Sequence, residues 1–242
     1  GDHRDLHLSI RRQRQMCIRD RLIISKGETM EFQSILITCL IGYLIGSIQP
    51  AYFLGKLKGV DIREHGSKNA GAANTSMTLG WGLGLLTALI DILKAAVAVH
   101  IVRYYVLGLP LNIISPDNFT FLPFLGGAMA VIGHNYPFYM NFDGGKGTAS
   151  AMGIMIGFEP VWGLIMLLTI FLSTIITNYL VSGTVAIYIV MLYRAVTEYG
   201  SMEITILSIL LMALGLYKHR TNFIGIYNGT ESTFRGEWNK KK

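Results

Sequence analysis

The stretch LGWGLGLLTALIDILKAAVAVHIVRYYVL, Leu79–Leu107, decides the fold. It exceeds the roughly 20 apolar residues that a helix needs to cross the hydrocarbon of a bilayer. Its apolar residues run on without the polar stripe that a helix on the surface of a water-soluble protein carries. Only Asp91 and Lys94 break the middle of the run, three positions apart and therefore on one helix face. Charges at such a depth are costly, and they are either functional or mutually paired. The spacing favours a pair that ties this helix to its neighbours.

Working outward, comparable runs occupy Phe32–Leu54, which Pro50 is expected to kink, and Phe121–Met140. Thr148–Phe158, Val161–Thr177, Gly183–Tyr193 and Ile204–Tyr217 follow, with a polar break at Asn178–Ser182. The expected architecture is all-α: a polytopic membrane bundle of about seven transmembrane helices, three of whose segments fall short of a full span. The composition agrees, with 51% hydrophobic and 15% charged residues.

Residues 30–242 read as a single membrane-embedded domain. Residues 1–29 hold seven of the 21 lysines and arginines and no run able to span, and MCIRDR (Met16–Arg21) leads into no apolar signal-peptide core. They are taken as an upstream extension outside the fold, with Met30 as the expected start. The remaining 14 basic and 11 acidic residues give no footprint for nucleic acid. Cys17 and Cys39 offer no disulfide framework. A non-catalytic lipid or anion transporter would more naturally show internal repeats, and none is visible.

Orientation follows from the basic loops. With the N-terminus outside, Lys56, Lys58, Arg63, Lys68, Lys146, Lys218, Arg220, Arg235 and Lys240–Lys242 all fall on the cytoplasmic side, together with the C-terminus. Arg103 and Arg194 fall outside.

Three polar segments then share the cytoplasmic face. GHNYPFYMNFDGGKGTAS (Gly133–Ser150) places glycines around Lys146, a backbone suited to close approach of an anion, with a lysine point charge. Gly147 stands where a nucleotide-binding P-loop has Ser or Thr after its lysine, so no nucleotide is implied. A flexible turn with a positive-inside lysine is the simpler alternative. DIREHGSKNAGAANTSMTLG (Asp61–Gly80) sets Ser67, Asn69 and Asn74 among small residues, as neutral donors around an oxygen or as a helix-packing surface with caps. KHRTNFIGIYNGTES (Lys218–Ser232) adds His219, Asn222 and Glu231. His134 and Asn135 close a spanning run, where a structural role is the better reading because no triad spacing is present.

Taken together the segments resemble the bacterial acyl-phosphate:glycerol-3-phosphate acyltransferase family, the PlsY type. The resemblance rests on GSIQPAYFLGKLKGVDIREHGSKNAGAAN (Gly46–Asn74), GHNYPFYMNFDGGKGTA (Gly133–Ala149) and KHRTNFIGIYNGTE (Lys218–Glu231), which occur in the family's order. It implies an enzyme of the bacterial inner membrane with its site at the cytoplasmic face. The enzyme would move a fatty acyl group from acyl phosphate to the 1-hydroxyl of glycerol 3-phosphate, giving lysophosphatidic acid and phosphate. The resemblance assigns catalytic roles to Ser67, Asn69, Lys146 and His219. It assigns substrate binding to Asn74, His134, Asn135, Gly144, Gly145, Gly147, Asn222 and Glu231, the three glycines as backbone donors. No cofactor, metal or obligate protein partner is implied; the partners are the two substrates and membrane lipid. The chain departs from the family in Met77 for an arginine, Asp143 for a lysine, and Lys68 for a glycine. Lys68 is therefore read as a relocated acceptor-binding cation, and an acceptor that is a different phosphorylated polyol is the alternative. The His-x4-Asp pattern of acyl-CoA-dependent acyltransferases is absent: Ala70, Tyr105, Tyr139 and Ile224 stand at the fifth position after His65, His100, His134 and His219.

Overall fold

The computed structural model describes residues 32–108 and 118–239. The upstream extension 1–29, Met30, Cys17 and Lys240–Lys242 lie outside the described residues. Within them the chain is helices and connections, with no strand. The helices are α1 (32–46), α2 (Pro50–Leu57), α3 (Ala72–Leu79), α4 (Trp81–Leu107), α5 (Asn118–Asn135), α6 (Thr148–Phe158), α7 (Pro160–Thr177), α8 (Leu180–Thr197), α9 (Met202–Lys218), α10 (Arg220–Tyr227) and α11 (Phe234–Asn239). Four spans are long and apolar enough to cross a membrane, namely Phe32–Leu57, Trp81–Tyr105, α7 and α8; α9 and α10, bent by 50°, make a fifth if taken together.

The breaks follow local chemistry. The first run is interrupted at residues 47–49, ahead of Pro50, whose missing N–H and fixed ring end a helix and start the next one well. The Phe121–Met140 run is shorter than its apolar length suggests: α5 ends at Asn135, and Pro137 leads into a single 3-10 turn at Phe138–Met140. The Asn178–Ser182 break is narrower than the sequence suggests. Asn178 caps α7 in the left-handed region (φ 67°), and α8 resumes at Leu180 and runs to Thr197. Of the three segments read as short, only α6, with 11 residues, stays far below a spanning length.

The core sits where α4 lies along α5 and α6, with Ile92, Val99, Phe124, Ile154 and Met155 packed against Tyr188 and Met191 of α8. Small residues allow this approach. A side chain at Gly153 of α6 would strike the Ile92 carbonyl of α4, and one at Gly46 of α1 would strike the backbone of Ala130 in α5. Outward-facing positions of α7 (Leu164, Leu168, Phe171, Ile176) remain exposed and apolar, which suits a lipid solvent. At the end of α6 remote from the glycine-lysine loop, Arg194 pairs with Glu159 at 2.7 Å and Glu198 at 3.1 Å and stacks over Trp162 at 4.6 Å, joining α8 to the start of α7.

Gly46→Val is expected to lower the thermal unfolding midpoint of the detergent-solubilised protein, with an overpacking cost of about 1–3 kcal/mol. An unchanged midpoint would show that α1 and α5 are not in backbone contact.

Candidate active site

The glycine-lysine loop folds back over the end of α5. Gly145 N donates to the His134 carbonyl at 3.0 Å and Gly144 N donates to the Asn135 carbonyl at 3.2 Å. Both positions need glycine, because a Cβ at Gly144 would overlap the His134 carbonyl and one at Gly145 would overlap the His134 ring. The expectation that Gly144 and Gly145 offer backbone donors to a ligand is therefore corrected: α5 already holds those N–H groups. Free donors lie one step further on. Gly147, at φ 83°, turns the chain into α6 and caps it without a side-chain bond, so the first N–H groups of α6 have no partner within the helix. With the helix dipole they form an anion-binding end.

Lys146 stands at that end. Its ammonium donates to Asn222 Oδ1, and Asn222 Nδ2 donates to Glu231 Oε1 at 2.7 Å. Thr148 Oγ1 lies 3.1 Å from His219 Nε2 and 3.2 Å from Thr184 Oγ1. The segments Gly133–Ser150 and Lys218–Ser232 thus meet directly across the start of α6. Burial holds the Lys146 ammonium below the ordinary lysine range; Glu231 opposes the shift, while Lys218 and Arg220 add to it. At the hinge between α9 and α10, burial and then the charge of Lys146 hold the His219 imidazole down at about 4. His219 is accordingly neutral at pH 7 and adds no further charge beside Lys146. Close by in the chain, Ser150 Oγ and both amide atoms of Asn135 are buried with no hydrogen-bond partner among the described residues.

The polar segment Asp61–Gly80 is built differently. Asn74 is fully buried: its Oδ1 accepts from Ser67 N at 2.7 Å, and its Nδ2 donates to the carbonyls of Ile62 at 2.7 Å and His65 at 3.0 Å. Its side chain holds the loop that carries Ser67. Ser67 and Lys68 are exposed and Asn69 is half-buried. Lys68 lies in the left-handed region at φ 56°, a conformation that glycine adopts without strain. Arg63 Nη1 donates to the Met140 carbonyl at 3.4 Å and joins this loop to the glycine-lysine segment. No bond from the Ser67, Lys68 or Asn69 side chains to Lys146 or His219 is present among the described residues. His134 is buried with its ring against Lys94 and Asp91, and its site is structural in its contacts.

An apolar cleft of about 290 Å³ opens beside these segments, between α3, α7, α8 and the chain that follows Glu231. Met77, Trp81, Ile170, Phe171, Leu180 and Phe234 line it. The closing strip is fixed by Phe234 N donating to the Asn178 carbonyl and Arg235 N donating to Asn178 Oδ1, both at 2.9 Å. Met77, which stands where the family usually has an arginine, forms part of this apolar wall.

A family model described as glycerol-3-phosphate acyltransferase matches residues 36–229. The chain belongs to that family. It is 38% identical over 205 residues to glycerol-3-phosphate acyltransferase 1 of Oceanobacillus iheyensis, covering 85% of this chain and 97% of that one. It is 35% identical over 221 residues to the glycerol-3-phosphate acyltransferase of Acholeplasma laidlawii, covering 84% and 94%. Among solved structures it resembles PlsY (YgiH), described as an integral membrane glycerol 3-phosphate acyltransferase. The glycerol 3-phosphate form gives TM-score 0.70 and 31% identity over 83% of this chain and 96% of that one. The lysophosphatidic acid form gives 0.69 and 30% over 83% and 95%.

Sequence reasoning about the acyltransferase site missed Thr148, Ser150 and Thr184. Thr148 carried a usable signal, since the first residue after a glycine run that opens a helix faces whatever the helix end binds. Thr184 carried none, being brought in by the α7–α8 turn.

A pH titration of ring-labelled His219 by NMR is expected to show a midpoint near 4, well below the ordinary value for histidine. A midpoint near 6.5 would mean that the ring is hydrated and not packed against Thr148.

Proposed function

We propose that this acyltransferase moves a fatty acyl group from acyl phosphate to the 1-hydroxyl of glycerol 3-phosphate, releasing lysophosphatidic acid and phosphate. The observation that carries the proposal is the meeting of Lys146, Asn222, Glu231, His219 and Thr148 at the open end of α6, beside an apolar cleft bounded by the strip after Glu231. One end of that arrangement suits a phosphate and the other an acyl chain. The description of PlsY (YgiH) in glycerol 3-phosphate and lysophosphatidic acid forms supports the same acceptor and product.

In this proposal the α6 N–H groups and Lys146 hold phosphate, and the cleft holds the chain. Ser67 and Asn69 offer neutral donors to the carbonyl or phosphoryl oxygens, and exposed Lys68 offers a cation to the acceptor. The acceptor hydroxyl attacks the acyl carbon; the new C–O bond forms as the bond to the phosphate oxygen breaks, and phosphate leaves with the bonding pair and takes up the hydroxyl proton. Acyl phosphate is a mixed anhydride with a good leaving group, so positioning within roughly 3–3.5 Å suffices and no covalent nucleophile is required. Neither cofactor nor obligate protein partner enters this scheme.

The same proposal places the chain in the bacterial inner membrane with seven passes: α1 with α2, α4, α5, α6, α7, α8 and α9. The N-terminus lies outside, and the site and C-terminus are cytoplasmic. The contacts favour it, because the glycine-lysine loop, the α7–α8 turn at Asn178 and the segment after α9 bond to one another and so share one face.

Purified protein is expected to release inorganic phosphate from palmitoyl phosphate only when glycerol 3-phosphate is added, and to ignore palmitoyl-CoA. Lys146→Ala should lower turnover by about 10²-fold or more, since a charge held ready in a dry site is worth several kcal/mol in the transition state. Acceptor-independent release, equal use of palmitoyl-CoA, or wild-type turnover in Lys146→Ala would overturn the assignment.

A further inference from the structure

Asp91 and Lys94 are almost fully enclosed in the middle of α4 and form an ion pair at 2.7 Å. An ammonium has three protons to place. Besides Asp91, the Lys94 ammonium donates to the Ile48 carbonyl at 2.6 Å and to His134 Nδ1 at 2.9 Å. Ile48 lies in the break between α1 and α2, and the adjacent Gln49 donates through Nε2 to the His134 carbonyl at 2.6 Å. That same carbonyl accepts Gly145 N at 3.0 Å. The same Nδ1 lies 3.2 Å from Asp91 Oδ1, so the ion pair grips the ring through that one nitrogen and leaves Nε2, the atom that a Cβ at Gly145 would overlap, turned toward the loop. One charged side chain in α4 therefore fixes the broken first span and the histidine on which the glycine-lysine loop rests.

An ion pair needed only to join helices has no reason to end there. Buried pairs are often no more stabilising than apolar residues of the same volume, and their better-attested use is to specify one arrangement. The lysine reaches out of its own helix to two points only among the described contacts, and both lead to His134. We propose that Asp91, Lys94 and His134, with Gln49, are positioning residues for the reaction: they touch no substrate and act through Gly145 on the placement of Lys146. The proposal rests on Lys146 holding the substrate phosphate.

The test uses the full chain in detergent, with amide hydrogen exchange across residues 141–147 measured beside steady-state kinetics. Asp91→Asn with Lys94→Met removes both charges at once, so neither is left stranded. The loop amides should exchange about tenfold faster or more while peptides from α7 and α8 keep their rates. Turnover should fall about tenfold or more, because small misplacement of a holding group is expensive in rate, and the KM for acyl phosphate should rise. Asp91→Asn with Lys94→Gln, which retains a donor at position 94, should recover part of both losses. Should the first double variant not fold, Gln49→Met decides: it keeps the volume, removes one donor to the His134 carbonyl, and should speed loop exchange about threefold. Unchanged loop exchange and turnover in the folded variants would overturn the proposal, as would exchange that rises equally in every helix. A wild-type protein without acyl transfer would sink the catalytic assignment instead, while loop exchange would still decide the positioning role.

Discussion

A helix that ends inside an apolar bundle leaves its last carbonyls without partners, and an unpaired carbonyl there costs a large part of a hydrogen bond's desolvation. The end of α5 is such a place, since His134 and Asn135 are both buried. Their carbonyls receive Gly145 N and Gln49 Nε2, and Gly144 N and Lys218 Nζ, respectively. Those donors come from the glycine-lysine loop, the broken first span and the end of α9. Satisfying one helix end thus draws together the polar stretches that the sequence scatters along the chain, and the site forms where they meet.

The electrostatics follow from the same packing. Lys146 is held at rest by a neutral amide, since Asn222 stands between it and Glu231. In the proposed scheme a phosphate arriving at Lys146 competes with an amide oxygen and not with a carboxylate, which keeps the cost of binding low. His219, buried and neutral, adds no repulsion to a cluster that already holds Lys146, Lys218 and Arg220. Thr148 and the open N-terminus of α6 then add further donors to this environment.

The spans were legible because a bilayer demands long apolar runs, and Leu79–Leu107 alone excludes a water-soluble fold. The Asp91–Lys94 pair was legible from its spacing. Segment ends were less so. Tyr136–Met140 is apolar enough to extend α5 in sequence, but Pro137 stops it; Asn178 looks like a loop residue and serves as a one-residue left-handed cap. The partners of Gly144 and Gly145 were not legible, because sequence shows that an N–H is accessible to close approach and not which carbonyl it meets. Gly144 and Gly145 meet α5. Thr184 was out of reach for a similar reason, since nothing local to it points across the bundle to Thr148.

The central claim is that Lys146 and Asn222, 76 positions apart, work as one phosphate-holding unit. A double-mutant cycle on kcat/KM for acyl phosphate tests it most directly, using Lys146→Ala, Asn222→Ala and the two combined. The account predicts strong non-additivity, with the double variant little worse than the poorer single one and a coupling of about 1 kcal/mol or more. Additive losses would show that the two residues act independently and would contradict it.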